Sequence, residues 1–231
     1  MREHKNIFID LDDTLYDFKA ASRESFYETY TLLRYERFFS SFEEYMQIYT
    51  PRNLQLWEQY GRGEITKSEL NRIRYNHPLE TVGIHDEKLA AQFCKEALGR
   101  IPTKNILIPH TKELLDYLYP KYNLYILSNG FQELQEQKMQ TTGIRHYFKA
   151  LILSDHIGKN KPNRELFEHA LNSTGSTVEN SIMIGDMFET DIIGAANIGM
   201  EQIYFNPNKK ENLPFKPTYE VGKLTEILDI L

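Results

Sequence analysis

With 231 residues, 41% of them hydrophobic and 26% charged, the chain is long enough for one large globular domain or for a domain with a substantial insertion. A formal net charge of −6 without clustered Lys and Arg excludes a generic binder of nucleic-acid polymers or anionic membranes, and no apolar run reaches the roughly 18 residues a membrane span needs. The single Cys94 excludes an intramolecular disulfide. It has no second Cys or His at ligand spacing, so it reads as a small packed hydrophobe.

The amino-terminal MREHKN leads into a short strand rather than the apolar core of a signal peptide, and a cytoplasmic protein is expected. The strand, residues 6–9, ends on the acidic run Asp10, Asp12 and Asp13, followed by Thr14. Like charges this close repel, and each loses hydration as the chain packs, so the cluster calls for a cation or a proton.

From residue 18 to residue 103 no strand is legible. Two capping boxes, Ser41 with Glu44 and Thr66 with Glu69, predict an all-helical insertion. Inserted after the first strand, such a bundle is expected above that strand's carboxyl end, where it can serve as a lid. The interval from Tyr16 to Tyr60 is dense in aromatic residues, most of them expected in the core of a small bundle. Tyr16, Phe18, Asn53, Trp57 and Arg74 are singled out as residues that would face a ligand under the lid.

Beyond residue 104 short apolar runs alternate with helical periodicity. A helix over 111–119 is followed by a strand over 124–127 and then Ser128, Asn129 and Gly130. Next come a helix over 132–142 stopped by Gly143, a strand over 151–153, and the loop GKNKP carrying Lys161. A helix over 164–173, a strand over 182–184 ending in Asp186, a helix opened by Asp191 and stopped by Gly199, and a strand over 202–205 complete the series. Strand and helix in alternation predict an α/β fold, a Rossmann-like doubly wound parallel sheet whose ligands bind beyond the carboxyl ends of the strands.

Taken singly, Ser128 or Asn129 can cap a turn, Lys161 can be a solvated charge, and Asp186 and Asp191 can be turn and cap residues. In a parallel sheet they converge: carboxylates at two strand ends, a hydroxyl with free backbone N–H groups at a third, and a Lys in the neighbouring loop.

These pieces, in the order DLDDTLYDFKAA, SNGFQELQEQKMQTTGIRHYF, GKNKPNRELFEHAL and GDMFETDIIGAANIGM, resemble the haloacid dehalogenase superfamily along essentially the whole chain. With the tail YFNPNKK and KPTYEV they look like its branch of pyrimidine 5′-nucleotidases that also handle unusual nucleotides. The resemblance implies a catalytic core over 1–17 and 104–231 and a helical cap over 18–103. It implies a Mg²⁺-dependent phosphatase working through an aspartyl-phosphate, with a small phosphorylated metabolite, a nucleoside monophosphate, as its partner. Asp10 would be the nucleophile and Asp12 the acid and then the base. Mg²⁺ would be held by Asp10, the Asp12 main-chain carbonyl and Asp186, with Asp191 supporting them. Ser128, the Asn129 N–H and Lys161 would hold phosphate oxygens, and Lys161 would also balance the charge. Met187 stands where many relatives have a small hydroxyl residue. The competing readings are a sugar-phosphate phosphatase, a phosphomutase, a 2-haloacid dehalogenase, which lacks the second Asp of the pair, and a catalytically silent binding module.

Overall fold

The structure, a computed structural model, describes residues 4–231. The chain divides into two compact units, Met1–Phe18 with Asn105–Leu231, and Lys19–Lys104.

The first unit is built on six parallel strands: β1 Asn6–Ile9, β2 Asn123–Ser128, β3 Ala150–Leu153, β4 Ser181–Gly185, β5 Glu201–Phe205 and β6 Tyr219–Val221. Their order across the sheet is β3-β2-β1-β4-β5-β6. The chain runs outward from β1 to β3 on one side, then returns to β4 and runs outward on the other, so the switch point lies between β1 and β4. β1 and β4 read NIFI and SIMIG, without polar alternation, and every residue in them is buried, as in strands covered on both faces. The register sets Ile9 beside Ile126 and Ile184, which puts Asp10 level with Leu127 and Gly185, one residue before Ser128 and Asp186.

The helices, in chain order, are α1 Phe18–Leu32, α2 Phe42–Gly61, α3 Lys67–Thr81, α4 Glu87–Arg100, α5 Thr111–Leu118, α6 Gln132–Thr142, α7 Arg164–Thr174 and α8 Ile193–Asn197. α6 and α7 end on Gly143 and Gly175 in left-handed conformation, which an L side chain would strain. Two details differ from the sequence reading. β6 was missed because it is three residues long with only Val221 buried, too little for an apolar run. The helix expected from Asp191 begins earlier, with a wide π-type turn at Phe188–Ile192, because Asp191 does not cap a helix but turns back to accept the Met187 N–H at 3.0 Å.

The second unit holds α2, α3, α4 and nearly all of α1, and no strand. Thr66 and Glu69 form a reciprocal capping box. Ser41 accepts the Glu44 N–H at 3.1 Å, but Glu44 sends its carboxylate one residue further back, to the N–H and hydroxyl of Ser40. The aromatic residues make the core: the Phe93 ring lies 4.8 Å from Tyr35 and 5.1 Å from Tyr45, and Phe26 lies 5.0 Å from Tyr49. Among the described residues no helix is long and apolar enough to cross a membrane.

Candidate active site

Asp10 follows β1 and is held by its own N–H to Ile184 O at 2.9 Å, so its carboxylate is fixed at the switch point. Lys161, from the loop after β3, meets it there. The Lys161 ammonium donates to Asp10 Oδ1 at 2.6 Å, to Asp191 Oδ1 at 2.7 Å and to Leu127 O at 2.8 Å. The Lys161–Pro162 peptide is cis. Asp186, just past β4, is oriented by Thr14, whose hydroxyl donates to Asp186 Oδ1 and accepts the Asp186 N–H, both at 3.1 Å. Thr14 thereby acquires a structural reason to follow the acidic run.

Burial pushes the Asp10 carboxyl well above the usual carboxylate range; Lys161 opposes that shift, and the charges of Asp191, Asp186 and Asp12 add to it. Burial disfavours the Lys161 ammonium, yet Asp10 and Asp191 hold it above the ordinary lysine range.

Oxygen atoms of Asp10, Asp186 and Asp191 lie within 4.8 Å of one another, an arrangement that suits a hard, oxygen-seeking cation. Asp10 and Asp191 share the single Lys161 ammonium. A divalent ion suits so close a gathering of carboxylates. Both Asp191 oxygens are already engaged, Oδ1 by Lys161 and Oδ2 by the Met187 N–H, so Asp10 and Asp186 are the carboxylates better placed to take an ion.

Asp191 has room only because Gly185 has no side chain: a Cβ there would overlap the Asp191 carboxylate. Gly185→Ala is expected to cost about 1–3 kcal/mol, the usual penalty of overpacking, read as a lower urea midpoint at unchanged m. The control Gly99→Ala, which meets open space within α4, should be neutral or slightly stabilising.

Ser128 closes β2 and is buried. Its hydroxyl oxygen accepts from Gln135 Nε2 at 2.7 Å and from the Gly130 N–H at 3.1 Å, so its own proton is left to be donated into the site. The Asn129 side chain clamps the Lys161 backbone, accepting its N–H at 2.7 Å and donating to its carbonyl at 3.1 Å, which leaves only the Asn129 backbone N–H for an anion. One expectation changes here. With its three N–H groups directed at Asp10, Asp191 and Leu127 O, Lys161 has no donor left for a phosphate oxygen and acts by charge alone.

Asp12 stands apart from this cluster. Its Oδ1 pairs with Lys138 Nζ at 2.6 Å and its Oδ2 accepts from Gln135 Nε2 at 3.0 Å, both residues on α6. Sequence reasoning passed over Gln135 and Lys138. Their signal was a poor apolar stripe: two long polar side chains three residues apart on the face of α6 that turns out to be buried.

Of the residues expected to face a ligand, Tyr16 and Arg74 are placed otherwise. Tyr16 is fully buried, with backbone bridges to Asp12 and Leu107. Arg74 is buried in the helical unit, where its guanidinium donates to Asn53 Oδ1 at 3.2 Å and Asn71 Oδ1 at 2.5 Å and lies 5.7 Å from the Trp57 ring. Neither offers a surface, because each is used in packing. Asn53 and Trp57, both half-buried, are thus drawn together by Arg74, while Phe18, half-buried, lies 4.7 Å beneath the Lys138 ammonium.

A doubly wound parallel sheet with carboxylates and a lysine gathered at its switch point places the protein among α/β enzymes that work from strand ends. The haloacid dehalogenase-like hydrolase profile matches residues 4–199, and the chain belongs to that family of enzymes. It is 32% identical over 228 residues to the pyrimidine 5′-nucleotidase YjjG of Escherichia coli, covering 97% of this chain and 96% of that one. It is 29% identical to the pyrimidine 5′-nucleotidase PynA of Streptococcus pneumoniae, covering 99% and 95%. Among solved structures, the magnesium-bound HAD-hydrolase YfnB of Bacillus subtilis superposes with a TM-score of 0.88 at 25% identity, covering 99% of both chains.

Proposed function

We propose that the protein is a Mg²⁺-dependent phosphomonoester hydrolase that works through an aspartyl-phosphate and prefers pyrimidine nucleoside monophosphates. The observation that carries the chemistry is the division between the two carboxylates: Asp10 shares the cation-seeking cluster with Asp186, whereas Asp12, two residues on, is held outside it by Lys138 and Gln135. Two carboxylates in unlike surroundings suit two roles. The substrate preference rests on the likeness to YjjG and PynA.

Asp10 Oδ2, to which no described donor is directed, attacks phosphorus as the bond to the leaving oxygen breaks. The Ser128 hydroxyl and the Asn129 N–H hold the phosphate oxygens, and Lys161 keeps Asp10 in place while offsetting the charge around it. Asp12 gives its proton to the leaving oxygen. As a carboxylate it then takes a proton from the water that attacks the acyl phosphate, which frees phosphate and restores Asp10. The carboxylates of Asp10 and Asp186 and the Asp12 carbonyl would hold Mg²⁺, which when bound would supply charge neutralisation for the phosphoryl group. We assign the choice of leaving group to the helical cap over 18–103, with Trp57 and Asn53 as its half-buried candidates for stacking and hydrogen bonding.

The test is phosphate release over UMP, dUMP, dTMP, CMP, AMP, GMP and several sugar phosphates, with Mg²⁺ and with EDTA. The expected result is metal-dependent turnover with the highest kcat/KM on pyrimidine monophosphates. Preference for a sugar phosphate would keep the chemistry and discard the substrate. Turnover unaffected by EDTA would discard the metal.

A further inference from the structure

Lys138 is a lysine sealed inside the protein, 126 residues from the carboxylate it serves, and the reaction described above leaves it without a task. Its ammonium donates to Asp12 Oδ1 at 2.6 Å and to Gln135 Oε1 at 2.8 Å. It lies 4.7 Å from the centre of the Phe18 ring and 5.3 Å from that of Tyr16, whose faces offset part of its lost hydration. Gln135 in turn donates to Asp12 Oδ2 and to Ser128 Oγ, so each oxygen of Asp12 has its own donor and the pair is joined to the proposed phosphate cradle. Gly130 leaves space for this: a Cβ there would overlap the Gln135 amide.

The exposure of the partners differs. The Asp12 side chain is 26% exposed and the Lys138 side chain 2%, so a ligand or a water can reach the carboxyl but not the ammonium. Lys138 therefore touches neither substrate nor solvent, and whatever it does for the reaction passes through Asp12. An ion pair kept only for stability needs no donor on the second oxygen and no link to Ser128. This one has both.

We propose that Lys138 and Gln135 are positioning residues that fix the direction in which the Asp12 carboxyl faces the leaving oxygen, and that through Ser128 they tie that direction to the place of the phosphate. The proposal rests on the reading of Asp12 as the proton donor. In the step concerned the Asp10–phosphorus bond forms, the bond from phosphorus to the leaving oxygen breaks with its electron pair going to oxygen, and that oxygen takes the Asp12 proton. An alkoxide needs the proton. A 2,4-dinitrophenolate does not.

The experiment is kcat/KM for wild type, Asp12→Asn, Lys138→Met, Lys138→Arg and Gln135→Met over phosphate monoesters of graded leaving-group basicity, from 2,4-dinitrophenyl phosphate through phenyl phosphate to UMP, with the inhibition constant of inorganic phosphate measured alongside. Asp12→Asn should fall by about 10²–10⁴ on UMP, the range expected of a lost general acid, and by far less on dinitrophenyl phosphate. Lys138→Met should steepen the dependence in the same direction, with a loss of about 10–100-fold on UMP and within about threefold on dinitrophenyl phosphate, at unchanged phosphate inhibition. Lys138→Arg should recover part of the loss, and Gln135→Met should show a smaller shift of the same sign.

Equal losses by Lys138→Met on every ester, or none, while Asp12→Asn is selective, would overturn the positioning role alone. A weakened phosphate inhibition would do the same by making Lys138 a support of the cradle. A non-selective Asp12→Asn would overturn the assignment of Asp12, and the proposal with it. Should Lys138→Met fail to fold, Gln135→Met decides between the same outcomes.

Discussion

Replacing Asp10 by asparagine is expected to abolish measurable turnover while leaving the chain folded. The amide has nearly the shape of the carboxylate, and its oxygen can still accept from the Lys161 ammonium, now at 2.6 Å from Asp10 Oδ1. It also removes one of several crowded negative charges, since Asp191, Asp186 and Asp12 all disfavour the Asp10 carboxylate. The fold thus loses an ion pair but sheds a repulsion. Chemistry has no such compensation, because a neutral amide cannot form the acyl phosphate. Phosphate release is the direct measurement, with thermal unfolding to show that the variant is folded. Acid-quenched wild type should carry a hydroxylamine-labile phosphoryl group and the variant none. Activity above a tenth of wild type would end the assignment of Asp10 as the nucleophile.

Lys161→Met should damage the molecule in both stability and activity. Its ammonium sits between Asp10 and Asp191, two buried carboxylates, and removing one partner of a buried ion pair typically costs about 3–5 kcal/mol because the remaining charge is stranded. The pH dependence follows from the sign of the shift. Asp10 is already raised by burial and by its acidic neighbours, with Lys161 pulling it down, so in the variant its carboxyl takes up a proton at still higher pH. A carboxyl raised in the folded state favours folding below its unfolded value and loses that contribution as pH rises through the folded one. The deficit relative to wild type should therefore be largest at neutral pH and shrink towards the ordinary carboxylate range. Urea midpoints between pH 5 and 8 measure this, and a deficit that grows as pH falls would contradict the charge balance drawn here. Added Mg²⁺ should restore part of the stability but little activity, since a divalent ion can offset charge without holding Asp10 in line.

The backbone was largely legible from the residues. Uninterrupted apolar runs such as NIFI and SIMIG specify strands buried on both faces, and glycines 143 and 175 specify helix ends, because these signals depend on neighbours within a few residues. The same locality put Asp10, Ser128 and Asp186 at strand ends before any packing was known. β6 carried too short a signal, and Asp191 was misjudged as the opening of a helix because a cap and a residue turned towards a distant lysine look alike in one dimension.

What the sequence alone determined, then, is the order of strands and helices and the gathering of acidic and hydroxyl residues where a parallel sheet presents them. Only the tertiary structure decided who pairs with whom: that Lys161 spends its donors on Asp10, Asp191 and Leu127, that Lys138 and Gln135 serve Asp12, and that Tyr16 and Arg74 are packed away. The physical reason is that these partners lie as far apart as 151 residues along the chain, and a hydrogen bond of 2.6 Å depends on the register of whole elements, which packing of the core sets and no local pattern records.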